Sequence, residues 1–272
     1  MVASLPFRTK VFAFLGRFAD KSIAEASVDE IPARRAARAK LLSSPVGRLI
    51  SGRTHPGVRI EDRWVDLEHE AIDDLAPEDS AVRTRLRIYR PSARTKGPLP
   101  VVLLFHGGGW VLGNAGTHDR LVRELAVGAR AALVFVEYDR SPEARYPVAI
   151  EQAYATAQWI TTDGATMGLD PSRIAVAGDS VGGNMAAALT LMAKRRGDVR
   201  FVHQSLYYPV TDAAQDSPSY REFADGPHLT ARAMEWFWDA YLPDREQRDD
   251  ITVSPLRASL DDLAGLPEAF VI

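Results

Sequence analysis

The chain of 272 residues contains no cysteine. That excludes a disulfide scaffold, a thiolate metal site and a cysteine nucleophile. It also lacks a dominant charge. Its 33 Lys and Arg stand against 36 Asp and Glu, a formal net charge of −3, so nothing favours nucleic acid or an anionic membrane as a partner. No apolar run approaches the ~18 residues of a membrane span. Near the N-terminus the apolar core Val11 to Gly16 is short, is flanked by Lys10 and Arg17, and has no A-x-A site after it. It predicts a packed amphipathic helix on Val11, Phe14, Leu15 and Phe18 rather than an export signal. A cytoplasmic protein without an integral membrane segment is expected. Internal repeats and low-complexity segments are absent too.

What is present suits one α/β domain: 46% of the residues are hydrophobic, enough for a sizeable core. Residues 1–55 read as a helical segment of mixed polarity, in which Arg34, Arg35, Arg38 and Lys40 suggest a solvated cationic face. "RWVDLEHE" and "RTRLRIYRP" alternate apolar and charged residues, the pattern of antiparallel strands with one wet face. The acidic "AIDDLAPEDSA" between them reads as a loop or hairpin turn. From Val101 the strands change type. "VVLLF", "ALVFVEY", "RIAVAG" and "VHQSLYYP" are nearly continuous apolar runs, as in strands buried on both faces of a parallel sheet. Helical stripes lie between them: Leu121, Val122 and Leu125; Ala153, Ala157 and Ile160; Val181, Met185, Leu189 and Met192. This alternation predicts a mostly parallel, doubly wound sheet spanning residues 56–272. An insertion at about 213–250 carries the aromatic helix "ARAMEWFWDAYL", with Thr230 as N-cap and Pro243 as stop. Its aromatics are too many for one face, and both a cap over the site and ordinary core packing remain open.

Two motifs carry chemistry. "AVAGDSVGGN" ends a buried strand and begins a helix, with Gly178, Asp179, Ser180, Val181 and Gly182 in G-x-S-x-G spacing. On such a turn the serine projects above the carboxyl edge of the sheet. Glycines at 178 and 182 leave room for the turn and for the helix behind it. Val181 N–H, at the helix start, is aimed to stabilise a developing oxyanion. Alone, the pentapeptide also fits a tight turn that merely contains serine. The second motif, "FHGGGW", follows the first buried strand. Three successive glycines, Gly107, Gly108 and Gly109, are costly unless backbone must pass close to something. Together, and in this order, the motifs point to acyl transfer.

The segments "HGGGWVLGNAGTH", "VEYDRSPEARYPVAIEQAYATAQWI", "DPSRIAVAGDSVGGN" and "YYPVTD" resemble the hormone-sensitive-lipase-like esterases of the α/β-hydrolase fold, from about residue 58 to the end. The resemblance implies a helical cap and hydrolysis of short-to-medium acyl esters without cofactor or metal. It assigns Ser180 as nucleophile and Gly108, Gly109 and Val181 as oxyanion donors. It makes His106 and His118 structural, and matches Tyr138 and Glu143 to a structural motif from which Asp139 and Ser141 depart. Trp110 and His228 are possible pocket residues.

Ser180 needs a base and an acid, which in this fold follow it in the order acid, then histidine. Of the six histidines only His203 and His228 lie after it. His203 is expected at the far end of its strand. His228 precedes the aromatic helix and is at most a polar contact or surrogate base. Asp179 adjoins the serine but points elsewhere, and Asp212 suits loop positioning. "LAGLPEAFVI" reads as the penultimate strand of the fold. The C-terminal strand and helix, with the triad acid and base, are therefore expected to be missing. A truncated form, little activity and association through the unpaired edge are expected. The competing reading is an inactive hydrolase or a small-molecule binder on the same fold.

Overall fold

The computed structural model describes residues 23–44, 52, 54–66, 83–93, 97–226 and 229–272. The expected helix on Val11–Phe18, the acidic turn at 71–81, and His228 lie outside the described residues. Seven strands are described: β1 (Val58–Asp66), β2 (Arg83–Pro91), β3 (Leu99–Phe105), β4 (Ala132–Glu137), β5 (Leu169–Asp179), β6 (His203–Tyr207) and β7 (Ala269–Val271). They form one sheet in the order β1-β2-β4-β3-β5-β6-β7. The two charged, alternating strands pair antiparallel at one edge, and β2 runs antiparallel to β4. The apolar strands β4, β3, β5, β6 and β7 are parallel.

Successive side chains of a strand face opposite ways, so the apolar strands feed two cores. On one face Leu104, Leu133, Phe135 and Tyr89 pack with Val122 and Ala126 of helix α2 (Ala115–Ala129). On the other, Leu103, Phe105, Val134 and Val176 meet helices α3 (Val148–Asp163) and α4 (Val181–Arg196). The expected stripes hold for α3 and α4, but Leu121 of α2 is exposed and Ala126 takes its place in the core. Val202, read as part of a buried strand, is also exposed and precedes β6. Helix α3 is so deeply set that Glu151 is buried. The Arg196 guanidinium pairs with both of its oxygens at 2.7 and 2.9 Å, which a buried carboxylate requires.

Helix α1 (Ile31–Ser43) lies on this core through Ile31, which is fully buried. The aromatic helix α6 (Ala231–Tyr241), numbered after the short α5 (Pro218–Glu222), starts where Thr230 accepts a bond from Ala233 N–H. Its Phe237, Trp238 and Tyr241 join the main core. Trp236 instead donates its indole N–H to the Ala26 carbonyl at 3.2 Å. At the sheet's end, β7 pairs with β6 alone among the described residues, and its Phe270 and Val271 are exposed. No described helix is long and apolar enough to cross a membrane.

If residues 23–44 are held by Ile31, Ile31→Ala costs about 2–4 kcal/mol of unfolding free energy in urea titration. A change near zero means that the segment is not docked.

Candidate active site

Strand β5 hands over to α4 in a single residue. Ser180 has φ 55° and ψ −119°, a conformation that costs a non-glycine residue about 1–2 kcal/mol. Neighbouring bonds hold it there. Its N–H donates to Tyr207 O at 2.9 Å, and its carbonyl accepts from Asn184 N–H and Val210 N–H, both at 3.1 Å. The buried Asn184 amide ties Val210 O and Val253 O together at 2.9 and 2.7 Å. The two flanking glycines are required by contact. A Cβ on Gly182 would stand 2.1 Å from Phe105 O, and one on Gly178 2.1 Å from Gly182 O. The first turn of α4 therefore lies directly on the end of β3. Val181, first residue of α4, has an N–H without an intrahelical acceptor.

The glycine loop after β3 runs alongside. Gly107 N–H donates to Asp179 Oδ1 at 3.0 Å, which leaves Gly108 and Gly109 as the loop's remaining glycine donors. Both have positive φ, 123° and 66°, where glycine is unstrained. The loop closes on itself through Val111 N–H and Leu112 N–H, which both bond to Gly108 O. Phe237 of α6 sits against Gly109, whose Cβ would lie 2.2 Å from the ring. Trp110, expected as a pocket residue, has no exposed surface. It stacks on Tyr241 with centroids 4.0 Å apart, and Trp238 lies 4.7 Å away.

Arg35 of α1 supports the loop from the other side. It donates to Val111 O at 2.7 Å, to Ser141 O at 2.6 Å and to both Glu143 oxygens at 2.8 and 2.9 Å. The cationic run is thus not wholly a solvated face. Nothing in the local pattern separates Arg35 from Arg34 or Arg38, so this tie escapes sequence reading.

Asp179 joins the two motifs electrostatically. Burial would raise its pKa, but the His118 hydrogen bond and charge and the Gly107 N–H outweigh it and hold the carboxyl below its ordinary value. His118 Nε2 lies 3.3 Å from Asp179 Oδ1. His106 is fully buried and stacks on Tyr138 and Phe135. Its Nδ1 lies 2.9 Å from Gly107 O, and the Tyr138 hydroxyl donates to His106 O at 2.8 Å. Burial pushes the imidazole down to about 3. His203 pairs across from Ala175, at the opposite end of β6 from Tyr207 and the serine. His55 accepts from Gly57 N–H in its own turn. Among the described residues no histidine hydrogen-bonds to the Ser180 hydroxyl. Asp212 accepts from Ala214 N–H and from Arg257, at 3.0 and 3.3 Å, in keeping with a loop-positioning carboxylate.

A cavity of about 930 Å³ opens elsewhere, between α1, β2 and the start of α2, and does not include Ser180. Its Arg85 and Arg87 pair with Asp62, and its Arg35 with Glu143. Among the described residues no group of three His, Asp or Glu could hold a metal ion.

Comparison with known proteins identifies the fold. The α/β hydrolase fold family matches residues 102–272. The carboxylesterase NlhH of Mycobacterium tuberculosis is 40% identical over 220 residues, 79% of this chain. The chain spans 64% of that relative's length. The esterase LipI of the same organism is 39% identical over 220 residues, 78% of this chain and 68% of LipI. Among solved structures, a thermostable esterase from Pseudomonas putida superposes with a TM-score of 0.83 at 41% identity, covering 99% of this chain and 78% of that one. The hyperthermophilic esterase of Pyrobaculum calidifontis gives 0.80 at 31% identity, covering 100% and 79%.

Two outcomes follow from the packing and the buried imidazole. Gly182→Ala is expected to abolish soluble folded protein or to cost more than about 3 kcal/mol in chemical denaturation, because the clash is with backbone. For His106 the unfolded chain takes a proton below 6.5 and the folded chain not until about 3. The unfolded state thus binds more protons in that window, and stability falls as pH drops through it, by up to about 1.4 kcal/mol per unit. Urea titrations of the wild type and His106→Asn between those values should show a shallower slope in the variant.

Proposed function

The chain belongs to the α/β hydrolase fold family, and from that premise we propose that it is a serine carboxylesterase acting on small esters of short-to-medium acyl chains. The observation that carries this reading is the junction itself. A strained serine at a strand-to-helix turn follows directly on Asp179, whose carboxylate engages the first N–H of the glycine loop. The carboxylesterase and esterase relatives support the same chemistry.

In this reading the Ser180 hydroxyl attacks the ester carbonyl carbon while a base takes its proton. The carbonyl oxygen gains the negative charge, and Gly108, Gly109 and Val181 N–H groups receive it, each donor worth roughly 3–4 kcal/mol. The tetrahedral intermediate expels the alkoxide, which leaves as the alcohol with the proton from the base. The acyl group stays on Ser180 until water, activated by the same base, releases the acid. His106 is unsuited to the base role, being buried and held neutral with Nδ1 against Gly107 O. Its part is to fill the space beneath the loop, while Asp179 ties the loop to the turn. Residues 1–55 and about 213–250 act as the cap, with the aromatic helix as its wall. The acid and base are what this reading still requires, and none of the described residues supplies them.

The competing reading is a binder that retains the pocket without turnover. Hydrolysis of p-nitrophenyl butyrate separates the two. The polypeptide of 272 residues is expected to show little or none. A form carrying an Asp- and His-bearing segment after Ile272 is expected to hydrolyse it and to lose at least about a thousandfold in kcat on Ser180→Ala. Substantial turnover by the shorter form would show that a usable base is already present. An inert longer form leaves the binder.

A further inference from the structure

We propose that strand β1 is a self-pairing edge, on which a second copy of the chain adds its own β1 antiparallel and continues the sheet.

Strand β1 stands at one end of the sheet order and β7 at the other, so this edge is remote from Ile272. Among the described residues β1 pairs with β2 alone, in unbroken register from Val58↔Pro91 to Asp66↔Arg83. On an antiparallel edge every second residue turns its N–H and C=O away from the existing partner. Such a row is a template for another strand, and edges are commonly blunted by short length, proline, lysine or a bulge. Strand β1 has none of these. It runs nine residues, V-R-I-E-D-R-W-V-D, where about five to six is usual. It contains no proline and no lysine, and its register with β2 shows no shift.

The residues of β1 form their own complement. A two-fold axis through Asp62 sets Glu61 opposite Arg63 of the second copy, and Arg63 opposite Glu61 of the second copy. Within one chain these two side chains already meet, with Arg63 Nε 2.8 Å from Glu61 Oε1. Two copies close a ring of four alternating charges. Residues of even number share the other face, where Ile60 comes opposite Trp64 of the second copy, and Trp64 opposite Ile60. These are large apolar side chains that the core of one chain leaves open, 38% and 59% exposed. The one meeting of like charges is on the axis itself, and it is already compensated. Asp62 accepts from Arg87 at 2.6 and 2.8 Å and from Arg85 at 2.7 Å, so two guanidiniums accompany each carboxylate.

The same pattern rejects other registers. A slip of one residue turns opposite faces toward each other. A slide of two residues brings Glu61 onto Glu61 of the second copy, or Arg63 onto Arg63 of the second copy. A charged edge that served only to repel would carry one sign or no order. This one accepts a copy of itself in a single alignment.

Sedimentation equilibrium of the polypeptide of 272 residues tests this directly. Wild type is expected to form a reversible dimer below about 100 μM, weakening as salt rises. Glu61→Arg alone, or Arg63→Glu alone, sets like charges opposite each other and is expected to raise the dissociation constant at least about tenfold. An equimolar mixture of the two variants sets arginine against glutamate at both contacts. It is expected to return association to within about threefold of wild type, as is Glu61→Arg combined with Arg63→Glu in one chain. Should a single variant not fold, the combined variant and Trp64→Glu, which sets a charge against Ile60, carry the measurement: the first associates and the second does not. Wild type that stays monomeric overturns the proposal. So does association that neither reversal weakens, which comes from another face, or a mixture no better than its components. A monomer whose outward β1 amides are protected from hydrogen exchange also overturns it, because the chain itself then covers the edge.

Discussion

Everything around the serine depends on one close approach, backbone against backbone. Helix α4 begins so near the end of β3 that no side-chain atom fits at Gly182, and the turn is so sharp that none fits at Gly178. This contact fixes the start of the helix relative to two parallel strands. It keeps the Val181 N–H, the serine and the glycine loop in one small volume. The cost is a serine in a left-handed conformation, which the bonds from Tyr207, Asn184 and Val210 hold in place. Strain of this kind persists where several elements determine a residue at once, and here three strands and a helix do so.

Charge organises the next layer. Asp179 is buried enough to need partners and has two, a backbone N–H from the glycine loop and the ring of His118. It converts a steric neighbourhood into a directional one, because the loop must present Gly107 N–H to satisfy it. Beneath the loop the neutral His106 stacks between Phe135 and Tyr138 as an aromatic filler with one useful polar edge. Its identity as histidine invites a catalytic reading that burial denies.

Much of this was legible in the residues. The apolar runs of β3, β4 and β5 announce strands buried on both faces, and the sheet is parallel where they lie. The spacing of Val181, Met185, Leu189 and Met192 marks the buried face of α4. The glycines of both motifs report contact and positive φ, which are local demands that sequence records. What escaped are the long-range ties. Arg35 is one arginine among several on an exposed-looking helix, and its partners lie 76 to 108 residues away. Phe237 and Trp238 are neighbours in sequence, but only packing shows that one faces Gly109 and the other Trp110. The Leu121 stripe failed because periodicity counts hydrophobicity, whereas α2 turns the smaller Ala126 inward to lie close to the sheet.

The guanidinium of Arg35 has a thermodynamic consequence. By holding Val111 O and Ser141 O at once, it couples the order of the glycine loop to the docking of α1. Such coupling is reciprocal. A molecule that immobilises the loop from the serine side also strengthens the grip on the N-terminal helix, and detachment of that helix weakens affinity at the serine. Occupancy of the site is therefore legible at a distance, in how tightly residues 31–43 cling to the rest of the protein.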